Sequence, residues 1–472
     1  MSIYLYELPT TGAISFAEFC SDENASYTSH ISEVTQARAN LRGALKESKR
    51  ADHGEKDFLK LVKILDEYLP QLYGIMGCVA QGELRQTSEP IFSWRTTLSA
   101  NLFNTSPRLS VPSLYADLSF SLLTYAFALS NLARSVVASL GAYERERGIS
   151  DIERKAKDEK LNFSVTLLCR ASGLFSHISE QVLLDWDKHR AANSTVADVG
   201  RPPDLSREVN AALAKMALAD AQSLAIRKLL SKSAYDSTIT PGPPLPTSHP
   251  SPALIAKLHL ECASLYSSAR SLAMTPSSSK SKGKGNIPSG ADAEVSADLR
   301  RYLTDEGMFH GALARKWLGV DAGENGGTSK GGDAVAFLAW AKKELEELKD
   351  GGRGLGIGKE KEKKERRRDK VLEELDSVTV FWKYYKKLND SLNFQAVPPQ
   401  ADLQLSAGRL AVAVKPFVPP TPAFGPGSVE YIRLQAEVLE LEDGDDQEKP
   451  QSPSSAASPR SGGTYAGAGS YF

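Results

Sequence analysis

The chain has 472 residues, 41% hydrophobic and 24% charged, enough to bury a large core. Its 57 basic and 58 acidic residues leave a net charge of −1, which excludes a general electrostatic pull toward nucleic acid or membrane. Cys20, Cys78, Cys169 and Cys262 are scattered, the N-terminus lacks a basic start, and no apolar run approaches the ~20 residues of a membrane span; together these predict a cytoplasmic protein with reduced, buried thiols.

Residues 1–30 read as an extended arm, with turn chemistry at Pro9, Thr10, Thr11 and Gly12 and with Ile14, Phe16 and Phe19 able to pin it to the body. Two helical stripes follow: Ile31, Val34, Ala37, Leu41 and Leu45, then Leu61, Leu65, Leu69 and Leu72. Residues 90–96 and 108–111 are short, β-prone runs and predict a strand pair. Long helices are expected over 114–140 and 161–184, with a solvated, charged stretch at 144–160 that holds the end of one helix and the start of the next.

Residues 202–274 hold two further helices that form a hairpin around a proline-rich break. Val209, Leu213 and Met216 mark the inner face of the first, and Leu254, Leu258, Cys262 and Leu265 that of the second. Leu224, Ile226, Leu229, Ile255 and Leu260 fall off these stripes, so both helices are apolar on more than one side. Such helices either lie between two neighbours or offer a groove to a partner. Prolines at 241, 243, 244, 246, 250 and 252 make 231–252 a loop, read as a disordered insertion or as a recruiting peptide for an SH3-type partner. A second flexible insertion is expected at 275–292. Helices follow at 295–318, 334–348 and 371–388, with a glycine-rich loop at 319–332; in 351–370 the glycines precede KEKEKKERRR, a run of both signs that reads as a solvated helix extension.

No catalytic chemistry stands out. The seven histidines and four cysteines show no metal spacing, and HExxH, CxxC, GxSxG and GxGxxG are absent. The glycines after 350 miss the P-loop pattern, because Arg353 stands at its first glycine and Glu360 at its hydroxyl residue. The expectation is a protein without cofactor or metal that is not an enzyme.

PPDLSREVNAALAKMALADAQSLA (202–225) resembles a segment of the Bro domain, the helical module of ALIX-type proteins. In collinear order FSWRTTL takes the place of that family's tryptophan-bearing strand pair. Residues 114–140 match its central helix and RASGLFSHISEQV a following one. LNDSLNFQAVPP matches the segment before its returning strand, with Asn393 where the family has tyrosine. The opening LPTTGAISFAEF and the layout with a single domain most resemble the family's fungal ambient-pH-response branch. The resemblance implies an all-α, elongated, banana-shaped domain over 1–420, with tetratricopeptide-like helix pairs, a small strand pair and a disordered tail over 421–472.

It also implies an adaptor. Bro domains hold the amphipathic C-terminal helix of the filament-forming ESCRT-III subunit on an apolar patch. Here that patch would comprise Leu254 and Leu258, Ala225 or Ile226 on the facing helix, and Val412 on the returning stretch 402–422. Leu258 is expected to be exposed enough that aspartate there abolishes binding and spares the fold. The adaptor would link ESCRT-III to a plasma-membrane pH-sensing complex, upstream of proteolytic activation of a transcription factor. It would be recruited to cortical or endosomal sites through its partners and bind no nucleic acid. A general endosomal-sorting adaptor and an unrelated helical-repeat scaffold are the alternatives.

Overall fold

The computed structural model describes residues 3–50, 56–99, 108–146, 148–192, 201–239, 242–275, 294–351 and 359–445. Most of the insertion expected at 275–292, the glycines from 352 and the tail beyond 445 fall outside them.

The helices are α1 (Thr28–Arg50), α2 (Phe58–Ala80), α3 (Leu114–Leu140), α4 (Asp151–His177), α5 (Leu183–Ala192), α6 (Arg207–Ile239), α7 (Pro252–Ala273), α8 (Ala297–Asn325), α9 (Gly331–Gly351) and α10 (Lys359–Leu388). Apart from α5, each packs chiefly on the helix before it and the helix after it. A succession of that kind grows in one direction, so the array is elongated. Strands β1 (Cys20–Ser21) and β2 (Arg85–Gln86) pair, and β3 (Ile91–Arg95) and β4 (Arg108–Pro112) form the expected antiparallel pair with Trp94 opposite Leu109. The N-terminal arm adds to β3: the Gly12 amide donates to the Ser93 carbonyl and the Arg95 amide to the Thr10 carbonyl.

The charged stretch 144–160 holds the start of α4 as expected, fixed at Asp151 by the reciprocal capping box of Ser150 and Glu153. Other boundaries differ from expectation, each for a local reason. The loop expected at 231–252 begins as helix. α6 continues through Ile239, tied down where the Ser231 hydroxyl bonds to Asp158 and accepts from Arg154. The prolines then turn a packed connection, in which Leu245 touches the core and the His249 ring lies 4.7 Å from Trp317. The glycines of 319–332 do not end α8, which runs on to Asn325. Part of the stretch expected to be a disordered tail is ordered: Phe424 is buried, and α11 (Val429–Asp445) follows it. Helix α3 meets the length and hydropathy of a membrane span together with the residues up to Arg145, but 78% of its most apolar window is buried in the array.

Buried polar side chains join the segments. Asp117 on α3 is fully buried and accepts from Arg38 Nε and NH2, from Trp94 Nε1 at 2.8 Å and from the Tyr68 hydroxyl. The same guanidinium donates to the Gly12 carbonyl and to Thr11 Oγ1, so one ion pair ties the arm, α1, α2, β3 and α3 together. Asp204, in the PPDLS stretch, accepts from the Thr97 and Leu98 amides at the end of β3, and burial pushes its carboxyl up to about 6. Asn131 holds the arm further out, donating to the Tyr6 carbonyl and accepting from the Tyr6 amide.

A third cluster joins α6, α7 and α8. His259 Nδ1 and His310 Nδ1 lie 2.8 Å apart, so one ring donates and the other accepts, and both are neutral. Burial holds both imidazoles well below their ordinary value of 6.5. Asp220, which accepts from the Tyr266 and Tyr302 hydroxyls, is pushed by burial up to about 7. The signs oppose. The unfolded chain takes up imidazole protons below about 6.5 that the fold refuses, so the histidines' contribution is lost as pH falls. The fold keeps a carboxyl proton that the unfolded chain gives up, so the Asp220 contribution is lost as pH rises toward 7. Each group contributes a slope of at most ~1.4 kcal/mol per pH unit. Four imidazoles held low by burial, His177, His249, His259 and His310, outnumber the carboxyls held high, Asp204, Asp220 and Glu344, so the thermal midpoint is expected to fall between about pH 6.5 and 5.5. Asp220→Asn should steepen that fall. Thermal unfolding across a pH series checks it, and a flatter variant curve would refute the assignment.

Candidate functional site

Residues 403–424 leave the end of the array and run back across it as an extended strap. The Arg409 amide donates to the Lys257 carbonyl on α7, the Lys415 amide to the Cys169 carbonyl on α4, and the Ala423 amide to the Pro70 carbonyl on α2. Between these anchors the strap walls a cleft of about 300 Å³ lined by Asp66, Leu69, Tyr125, Arg170 and Leu174. Small residues make the close approach possible. A Cβ on Gly173 would fall 1.8 Å from the Lys415 carbonyl oxygen, and one on Gly74 would fall 2.8 Å from the Phe424 ring. Phe424 ends the strap stacked on His30, with ring centroids 4.5 Å apart.

The five residues expected to form the apolar patch separate into two groups. Helices α6 and α7 are antiparallel, with Gln222 bonded to the Leu258 carbonyl and Cys262 Sγ directed at the Ala219 carbonyl. One turn further along, that register sets Ala225 beside Leu254. Both are partly exposed, and Leu229, a turn beyond Ala225, is 42% exposed. Val412 on the strap is partly buried against the core, and its neighbour Leu410 is 47% exposed. Ala225 and Leu254 therefore sit side by side on the α6–α7 pair, and Val412 lies on the strap just past the residues that Gln222 ties to that pair.

Leu258 and Ile226 do not belong to this surface. Leu258 is 2% exposed and Ile226 1%. Ile226 follows Ala225 by one position, which turns it about 100° around the helix and into the array. Leu258 lies where the strap crosses α7: Gly408 rests on Glu261, Arg409 bonds to the Lys257 carbonyl, and the Leu258 carbonyl receives Gln222 Nε2. The leucine expected to be the central contact is a core residue.

Sequence reading passed over Gln222. It is fully buried in the middle of an apolar helix. That position was the available signal, because a buried amide must find partners. Its Nε2 donates to the Leu258 and Arg409 carbonyls at 2.9 and 3.0 Å, and its Oε1 accepts from the Ala411 amide at 2.9 Å. Among the described residues no group of three or more histidine, cysteine, aspartate or glutamate side chains could hold a metal ion. The site is suited to a noncovalent, largely apolar partner: a shallow strip of aliphatic side chains along a helix pair can take the apolar stripe of an amphipathic helix.

Comparison with known proteins shows the family and the fold. The profile of the BRO1-like domain matches residues 15–432. The chain is 38% identical, over the full length of both, to the pH-response regulator protein palC of Cryptococcus neoformans. It is 25% identical to palC of Emericella nidulans, covering 92% of this chain and 91% of that one. Among solved structures, ALIX in complex with a viral late domain matches 94% of this chain with a TM-score of 0.60 at 17% identity, and this chain spans 54% of that protein. The ALIX BRO1 CHMP4C complex matches 90% of this chain and 98% of its own, with a TM-score of 0.56 at 19% identity.

Proposed function

We propose, from the premise that this chain belongs to the BRO1-like domain family, that it is a non-enzymatic adaptor of the ambient-pH response. In this reading it binds the C-terminal amphipathic helix of an ESCRT-III filament subunit. One observation carries the reading: the partly exposed aliphatic strip of Ala225, Leu254 and Val412, on a fold shared with the ALIX BRO1 CHMP4C complex. Full-length likeness to the palC regulators supports the pathway. The adaptor would join ESCRT-III to the pH-sensing complex at the plasma membrane or endosomes and promote proteolytic activation of the alkaline-response transcription factor. Association with membrane would come through those partners.

Helix docking on a shallow strip gives modest affinity, because only a few side chains are fully desolvated. Titrating the purified chain with a synthetic peptide of the ESCRT-III subunit's C-terminal helix should give saturable binding on the order of micromolar, ~8 kcal/mol. A peptide with its aliphatic stripe changed to serine should not bind. Equal binding of both peptides would overturn the reading. A strain lacking the gene should fail to grow at alkaline pH and keep normal vacuolar sorting. Defective sorting with normal alkaline growth would instead identify a general endosomal-sorting adaptor.

A further inference from the structure

We propose that Gln222 is a positioning residue that sets the register of the strap, so that the third wall of the apolar strip exists only while its side-chain amide is in place. This rests on the reading of that strip as the partner site. The amide behaves as one peptide unit of a neighbouring strand would: it donates to the Arg409 carbonyl and accepts from the Ala411 amide. Those two groups belong to residues i and i+2 and so lie on the same edge of the extended chain. A two-bond ring of this kind fixes which residues face which way. The amide's second hydrogen goes to the Leu258 carbonyl, which ties the clamp to α7 as well as α6. Donors and acceptor are all engaged, with no water needed and no exposed surface left on Gln222.

Register matters here because the strap bends at Ala411 and Val412, leaving Ala411 exposed and Val412 partly buried against the core. A slip by one residue in either direction would put Ala411 or Ala413 in the place of Val412 and lose its packing. The nearest other anchor toward the C-terminus is the Lys415 amide on the Cys169 carbonyl, three residues after Val412. On the N-terminal side only the Arg409 amide, bonded to the Lys257 carbonyl, and the tight seat of Gly408 on Glu261 hold the strap near the strip. Asn131 clamps the N-terminal arm by a related device, through the amide and the carbonyl of a single residue, Tyr6.

The test is Gln222→Met, which keeps the side chain's length and removes all three bonds. Amide hydrogen exchange over 408–415 and affinity for the ESCRT-III helix peptide are measured on the same full-length sample. Exchange at the Ala411 amide should rise at least tenfold and the peptide Kd should rise at least tenfold, while exchange in α3 and α4 stays unchanged. Faster Ala411 exchange with wild-type affinity would overturn the proposal, and so would unchanged exchange. Should the methionine variant fail to fold, Ala411→Pro carries the same test from the exposed strap side: it removes the N–H that Gln222 accepts, fixes φ at that residue, and is read at the amides of 409, 410 and 412–415 and in peptide affinity. If the wild type takes no peptide, the reading of the strip falls, and the exchange measurement still decides whether Gln222 holds the strap.

Discussion

Asp117→Ala should be among the most damaging single substitutions in the chain. It leaves the Arg38 guanidinium, 2% exposed, without its counter-charge, and it removes the acceptor for Trp94 Nε1 and for the Tyr68 hydroxyl. Breaking a buried ion pair from one side costs ~3–5 kcal/mol, and orphaning two further donors adds ~1–3 kcal/mol each. Total stability of a domain is ~5–15 kcal/mol, so the variant should melt far below the wild type or accumulate as insoluble protein. The double variant Arg38→Met, Asp117→Leu should recover part of the loss, because an apolar pair leaves no charge stranded. Urea unfolding of the three proteins measures this. A single variant within ~1 kcal/mol of wild type would mean that water reaches the pair.

The second large effect separates two leucines one helical turn apart. Leu258→Asp places a carboxylate at a site 2% exposed, beneath the crossing strap. The lost packing alone costs ~2–5 kcal/mol, and the desolvated charge costs more, so this variant should lose its fold and not merely its partner. Leu254→Asp acts at a partly exposed position and should keep the wild-type melting curve within a few degrees. It should lose ~1.5–3 kcal/mol of peptide binding, a factor of roughly 10 to 150. Circular dichroism and peptide titration on the two variants decide the matter. A folded Leu258→Asp protein with wild-type binding, or a Leu254→Asp protein that still binds, would move the site elsewhere.

The array was legible because hydrophobic periodicity reports which face each helix buries. The stripe Leu254, Leu258, Cys262, Leu265 did mark the inner side of α7, three of the four being buried. What periodicity does not report is what covers a helix from outside its own layer. Leu258 was read as surface because the strap's path over Lys257 to Glu261 depends on contacts some 150 residues apart in sequence, such as Arg409 with Lys257. Helix ends were missed for a similar reason. The prolines of 241–252 correctly forbade helix there, but Ser231 bonding Arg154 and Asp158 extends α6 toward them. Buried polar residues, Asp117, Asp220 and Gln222 inside apolar helices and Asp204 in the turn before α6, carry the signals that periodicity leaves unused. Each joins its own element to segments that the sequence alone does not bring together.

The order of synthesis gives the returning strand a cost of its own. Glu83 leaves the ribosome 348 residues before Tyr431, whose hydroxyl bonds to it. At roughly 5–20 residues per second that interval is about 20–70 s. Throughout it the hollow beside Gly74, which Phe424 later fills, stays uncapped. The first helices therefore emerge as a nascent chain with a greasy recess, available to chaperones until residues 424–431 arrive to close it.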